Sequence, residues 1–286
     1  MNDRFLTMPN ILNILRQIAI VGILAIGETF AILTGGIDLS VGAILGMSVV
    51  LYAGFLENYS LWLAIPMGLF AAILIGAING SIVAFTKVPA FIVTLGMLSF
   101  ARGIAYIYSG GTPIPIINES LYVFGNGYFG GVPIPAIILI VTLIIAGFFL
   151  KYTPFGRYVY AIGSNANAAH LSGVPVRFGR ISVFVISGLC AGLAGLLFAS
   201  QLSVGTPVAG ASYELDAIAA VVVGGTSLMG GKGSVFGTFI GVLIVGVMAN
   251  ILNLLGIDSF VQQLFKGVLI VFAVFLMTRS SNEKGD

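Results

Sequence analysis

The hydrophobic positions of this chain come in long runs with no charge inside them. Uncharged stretches cover residues 58–86, 120–150, 181–213 and 233–257. Crossing the hydrocarbon core of a bilayer takes about 20 predominantly apolar residues, so each stretch is long enough to span one. A soluble domain could bury one such run as a core helix; four exclude the soluble reading. The pattern resolves into nine hydrophobic segments, roughly 14–34, 37–56, 61–86, 90–108, 132–150, 181–200, 214–229, 234–254 and 260–278. The predicted fold is all-α, a polytopic membrane helix bundle forming a single transmembrane domain over 1–286. Segment 214–229 is short for a full span and is bounded by glycine pairs. The first segment is not a signal peptide, because it lacks a small-residue cleavage site and runs on into more apolar sequence.

Composition sharpens the class. Of 286 residues, 58% are hydrophobic and 8% charged, against about 25% charged in an average soluble domain. The mean hydropathy is +1.11. One histidine, His170, and one cysteine, Cys190, cannot build a zinc or copper site or an internal disulfide. Cys190 sits among Gly188, Ala191 and Gly192 and reads as a small packing residue. No cofactor or metal is implied, and a dispersed net charge of +2 does not suggest nucleic acid. No polar stretch is long enough for a soluble catalytic domain, so the energy source for any transport must lie elsewhere.

The loops set the orientation through their basic residues. Lys151, Arg157, Arg177 and Arg180 bracket a loop with no acid, which is expected in the cytoplasm. The 109–131 loop carries Glu119 and nothing basic, which fits the outside. Counting spans from there puts Lys87, Lys232 and Arg279 inside and Glu57 and Asp258 outside. It also leaves Arg4 and Arg16 outside. The expectation is therefore either a further span before this N-terminus or a first segment that does not cross.

Glycines punctuate the pattern. Ala31-Ile-Leu-Thr-Gly-Gly-Ile-Asp-Leu-Ser40 aligns without gaps to Ala220-Val-Val-Val-Gly-Gly-Thr-Ser-Leu-Met229. Paired glycine-interrupted segments in two halves of a transporter point to its substrate region, so Gly35, Gly36, Gly224, Gly225 and Ser227 are candidate pathway residues. By the counted topology the two copies run in the same direction, and an inverted repeat would need a re-entrant segment. Gly42 with Gly46, Gly188 with Gly192, and Gly233 with Gly237 and Gly241 are spaced four apart, as in close helix packing.

Charges inside spans are expensive and face a protein interior or water. Glu28, Arg102, Glu214, Asp216 and Lys266 are such charges, with Asp38 and Asn79 as polar neighbours near segment ends. Asp38, Glu214 and Asp216 join the candidate pathway, while Glu28, Arg102 and Lys266 could equally snorkel or pair structurally. Glycine-rich 224–233 is not a phosphate loop: Thr226 stands where the first glycine of Gly-x4-Gly-Lys-Ser/Thr belongs, and Gly233 replaces the hydroxyl. In 152–180, Thr153-Pro154 opens the segment, 165–170 reads as a short helix, and Ser172-Gly173 and Pro175 end it. That basic segment is either a docking element or an ordinary orientation-setting loop.

Three motifs carry a resemblance over nearly the whole chain. Thr34-Gly-Gly-Ile-Asp-Leu-Ser-Val-Gly42 and the signature-like 213–233 resemble the permease subunits of ribose-type ABC importers, which carry ribose, xylose, arabinose or galactose. Gly156-Arg-Tyr-Val-Tyr-Ala-Ile-Gly163, with Asn165 and Leu171-Ser-Gly173, is similar to that family's cytoplasmic loop. Ala168-Ala169-x3-Gly173 resembles the docking motif of ABC importers, with Asn167 in place of the usual acid. The resemblance implies an ATPase-docking role for Gly156, Arg157, Asn165, Ala168, Ala169, Ser172 and Gly173. It implies a second permease copy, a cytoplasmic ABC ATPase and an extracytoplasmic sugar-binding protein as partners in the inner membrane, with no chemistry in this chain. Relatives of this type carry an extra N-terminal span before the part matching residues 5–18. An ABC permease for an autoinducer or a branched-chain amino acid, and an ion-coupled secondary transporter, stand as the alternatives.

Overall fold

The computed structural model describes residues 5–258 and 261–268. Seven described helices are long and apolar enough to cross a membrane: α1 (Met8–Leu33), α2 (Val41–Asn58), α3 (Leu61–Phe85), α4 (Ala90–Ser109), α6 (Ile134–Tyr152), α8 (Val176–Leu202) and α10 (Val235–Leu254). Between them lie the short α5 (Glu119–Asn126), the loop helix α7 (Pro154–Leu171) and the half-length α9 (Tyr213–Val223). Residues 261–268 are helical. Arg4, Arg279 and most of the ninth predicted segment lie outside the described residues.

The spans form two shells. In α1, α2 and α8, 56%, 78% and 61% of the most apolar window is buried, against at most 33% in α3, α4, α6 and α10. The inner three therefore make the core, and the outer four present their apolar surfaces outward. Glycine allows the inner helices to approach their neighbours closely. A Cβ at Gly188 of α8 would lie 2.5 Å from the Ala72 carbonyl of α3, and one at Gly192 would lie 2.8 Å from Ala72 Cβ. Gly237 and Gly241 of α10 meet the backbone of α9 in the same way. Gly233 does not share their helix face as its spacing suggested, because α10 begins only at Val235, after the Ser234 N-cap.

One end of the bundle is tied by polar contacts. Strands β1 (Ile114–Pro115) and β4 (Val204–Gly205) pair antiparallel, and β2 (Tyr128–Phe129) pairs with β3 (Val132–Pro133). Asn118 caps α5 by accepting from Leu121 N at 3.0 Å. Gly125 N donates to Ser200 Oγ at 2.6 Å, fastening α5 to the end of α8. Arg16 Nη2 donates to Asn126 O at 3.1 Å, and its guanidinium stacks over Tyr128. Asn10 and Asn250 exchange a reciprocal pair of amide hydrogen bonds, each 3.0 Å. The start of α1 thus lies at the same end as the 109–131 loop, and α1 crosses the whole bundle. That removes the alternative of a first segment that does not cross.

At the opposite end, α7 is longer than the predicted short helix. It starts under the Thr153 cap with Pro154 and bends at Asn165, whose backbone is extended (φ −162°, ψ 102°). Asn165 Oδ1 accepts from Ala168 N at 2.9 Å and so caps the last turns. The short helix is real, as the terminal part of a kinked one.

This arrangement predicts opposite accessibility for its two ends. Single cysteines at Ser164 and Ile117, both exposed, in a Cys190→Ala background should label differently with an impermeant thiol reagent in intact cells. Ile117→Cys should react and Ser164→Cys should stay protected; the reverse pattern would invert the topology.

Candidate functional site

Both glycine pairs end a helix, and they do so by the same device. After α1, Gly35 is left-handed (φ 77°), its N–H reaches Ile32 O, and Gly36 N reaches Ala31 O. After α9, Gly225 is left-handed (φ 86°), its N–H reaches Val222 O, and Thr226 N reaches Val221 O. This double closure satisfies terminal carbonyls and suits glycine, which has no Cβ to strain. The gapless alignment paired Gly35 with Gly224, but the residues with the same backbone role are Gly35 and Gly225. The repeat is therefore offset by one position in structure. Both helices run toward the same end, as the parallel reading expected.

The two turns meet. Gly231 N donates to Leu33 O at 2.9 Å, and Gly230 packs on Gly35. Gly163 of α7 lies against both, with no room for a Cβ beside Leu33 O or Gly231 N. Tyr160 Oη donates to Gly233 O at 3.0 Å, and burial raises its phenol above the ordinary value, keeping it a donor. Ser227 closes its own loop: its N–H donates to Lys232 O, and its Oγ accepts from Met229 N. The glycine breaks and the predicted docking segment thus form one joint.

Asp38 belongs to a different cluster, fully buried beneath the first turn. Its carboxylate accepts from Ser40 N (3.0 Å), Ser40 Oγ (2.5 Å) and Ser187 Oγ (2.7 Å). Asn79 Nδ2 donates to Ser40 Oγ at 2.9 Å, and Asp38 N donates to Glu28 Oε1 at 3.0 Å. Four elements, α1, the 34–40 loop, α3 and α8, are joined there. Glu28 Oε2 and Asn79 Oδ1 have no partner.

A cavity of about 540 Å³ lies nearer the other end and falls in the roughly 300–1,000 Å³ range of small-molecule sites. Amides dominate its polar lining: Gln17, Gln201, Asn253, Gln262 and Gln263. Gln201 Nε2 is buried without a partner. Tyr213 adds an aromatic wall, and Lys266 Nζ pairs with Asp216 at 2.8 Å, so the two charges cancel. Nearby, Arg102 Nη1 donates to Pro207 O and Ala209 O (2.6 and 2.7 Å), holding the non-helical segment before α9 against Gly46. Glu214 faces Gly42 one turn along α2.

Of the predicted pathway residues, the structure brings Asp216 to this cavity and Gly35 and Gly36 to a smaller one. Asp38, Glu214, Gly224, Gly225 and Ser227 line neither. The amides were missed; their signal was uncharged hydrogen-bonding residues inside or beside spans. In the docking segment, Arg157, Asn165, Ala168, Ser172 and Gly173 are exposed, while Gly156 and Ala169 are buried. Leu171, 88% exposed at the tip, is a docking candidate that the prediction passed over.

The comparisons with known proteins agree with this architecture. The family described as branched-chain amino acid transport system / permease component matches residues 10–274. The chain belongs to that family of permease components and is a multi-pass membrane protein. It is similar to the ribose import permease protein RbsC of Bacillus subtilis, 48% identical over 284 residues, covering 98% of this chain and 88% of that protein. RbsC of Haemophilus influenzae is 48% identical over 278 residues, 96% of this chain and 86% of the relative. The L-arabinose ABC transporter permease protein AraH of Azospirillum brasilense is 36% identical over 281 residues, 98% and 83% of the two chains. No solved structure gives a match.

The cavity's ion pair makes a testable difference between breaking and replacing it. Lys266→Met strands Asp216, which is 6% exposed. It should cost about 2 kcal/mol, less than a fully buried pair because the Lys266 side chain is 28% exposed. Lys266→Met with Asp216→Leu should recover most of that loss. Thermal unfolding of the purified chain reads both; a double variant no better than the single one would contradict the pairing.

Proposed function

We propose that this chain is the membrane permease subunit of an ATP-driven ABC importer of the inner membrane that carries a monosaccharide of the ribose class. Two copies form the transporter, a separate cytoplasmic ATPase hydrolyses ATP, and an extracytoplasmic binding protein delivers the sugar. The chain itself performs no covalent chemistry. The observation that carries the cargo reading is the cavity's amide-rich polar lining. A monosaccharide is uncharged and offers hydroxyls that both donate and accept, which Gln and Asn side chains match on both counts. A branched-chain amino acid would bring an apolar side chain and two charges, for which this lining offers a single internally paired Asp216–Lys266. The named relatives at 36–48% identity point the same way.

In this reading the sugar enters at the amides near the extracytoplasmic ends of α1, α8 and α10. It moves past Asp216 and Glu214 and leaves near Gly35, Gly36, Gly224, Gly225 and Ser227, while Asp38 anchors the turn at the exit. The segment holding Gly156, Arg157, Asn165, Ala168, Ala169, Ser172 and Gly173 docks on the ATPase. ATP-driven closure then pushes α7, and with it both glycine turns.

Reconstitution with the ATPase and a ribose-binding protein tests the cargo. Gln201→Leu should reduce subsaturating D-ribose uptake about five- to tenfold, the worth of one hydrogen bond, with ATPase assembly unchanged. Uptake equal to wild type would remove the cavity from the pathway.

The docking role has its own test. Gly173 is left-handed (φ 81°) and closes α7: its N–H donates to His170 O, and Val174 N donates to Ala169 O. No atom crowds it, so Gly173→Arg acts through backbone strain and bulk at the tip. The variant should reach the membrane yet copurify with little ATPase, and full copurification with normal transport would refute docking there.

A further inference from the structure

A second cavity, about 290 Å³, lies at the end assigned to the cytoplasm, between the close of α3, the start of α4 and the start of α8. Lys87 and Arg180 both line it. Neither side chain has a hydrogen bond or ion pair to another described residue. No acidic residue lines the cavity. The start of α4 adds to the positive potential: its first turn holds no acid, its Pro89 cap offers no side-chain acceptor, and Ala90 and Phe91 line the same space. The N–H groups of those two residues find no protein acceptor, whereas Ile92 and Val93 both reach Pro89 O. Uncompensated cations around a concave space are complementary to an anion.

The surroundings say which anion. Phe85, Val88 and Phe91 are 65%, 41% and 50% exposed beside the cavity. Arg177 stacks over the Phe85 ring at 5.4 Å, a third cation where α3 ends and α8 begins. Exposed aromatic and aliphatic side chains at the end of two outer spans would contact acyl chains, while the cations sit at the level of the headgroups. Basic pockets between helices on the cytoplasmic side are suited to acidic lipid headgroups. We propose that this cavity binds the phosphate of an anionic phospholipid of the cytoplasmic leaflet, held by Lys87, Arg180 and the first amides of α4. Because Thr34, Gly35 and Gly36 form its inner wall, the lipid would brace the turn that contacts α7. The proposal depends on the orientation, which cysteine labelling tests separately, and not on the cargo.

The test uses the full purified chain, delipidated in detergent, titrated with dioleoyl-phosphatidylglycerol or dioleoyl-phosphatidylcholine and followed by native mass spectrometry. Wild type should retain phosphatidylglycerol preferentially. Lys87→Gln with Arg180→Gln should weaken that retention about thirtyfold, at about 1 kcal/mol for each cation near a membrane surface. Val88→Glu places an acid at an already exposed position in the cavity and should have the same effect while the two cations remain. A melting scan in phosphatidylcholine verifies that both proteins are folded. Equal retention of the two lipids by wild type, or undiminished phosphatidylglycerol retention in both variants, would overturn the proposal. Displacement of the lipid by millimolar inorganic phosphate would make this a free-phosphate site and overturn the lipid source. Loss of ATPase copurification with phosphatidylglycerol retention intact would assign the cations to the ATPase interface instead.

Discussion

Helices in hydrocarbon gain little from hiding leucine against leucine, so this bundle depends on places where backbones themselves come close. The α3–α8 contact is the clearest case. Gly188 and Gly192 let α8 settle against Ala72, and Gly76 and Gly80 let α3 settle against Phe184 and Ile181. A side chain at any of these positions would push the two helices apart, and α8 is the element on which α1, α2 and α3 all rest. The same economy of space admits the non-helical segment 206–212 beside α2. Gly42 and Gly46 face Gly210 and Ala209 there, and Arg102 supplies the donors that its carbonyls would otherwise lack. Irregular backbone at that depth is tolerated because protein, and not lipid, surrounds it.

Polar groups inside the bundle mostly follow one rule, and two of its exceptions sit in the Asp38 cluster. Arg102 is answered by carbonyls, Asp38 by hydroxyls and an amide, and Lys266 by Asp216. Asp38 in particular accepts three hydrogen bonds. Glu28 accepts one bond on Oε1 and none on Oε2, and Asn79 Oδ1 is also unanswered. An unpaired polar atom in such a site costs roughly 1–3 kcal/mol. The cluster thus concentrates unmet hydrogen-bonding capacity directly under the turn at Gly35.

Much of this was legible in the sequence because it rests on local chemistry. Glycine pairs mark left-handed helix ends whatever surrounds them, and Gly35, Gly173 and Gly225 all have that backbone. Long uncharged runs mark spans, and the basic 152–180 segment stands apart from them by composition. What could not be read rests on distance. The lining amides lie at positions 17, 201, 253, 262 and 263, and nothing local to any of them says that they share a cavity. The offset between Gly35 and Gly225 was invisible because a gapless alignment rewards matching letters, whereas the closing bond depends on where the helix last turns. Gly233 misled for a similar reason: a four-residue spacing implies a shared face only inside one helix, and Ser234 starts that helix one residue later.

The joint at α7 gives the architecture its mechanical logic. Gly163 touches the end of α1 through Leu33 and the 224–234 loop through Gly231, and Tyr160 holds that loop through Gly233. A displacement of α7 therefore reaches two helices at once. α1 is a 26-residue rod with Leu33 at the joint and Gln17 at the amide cavity, near opposite ends of the bundle. α9 connects the same joint to Asp216 and Tyr213. Both helices run unbroken from the joint to side chains that line the amide cavity. Gly35 and Gly225, each left-handed, end those two rods on the side of the bundle where Gly163 of α7 meets Leu33 and Gly231.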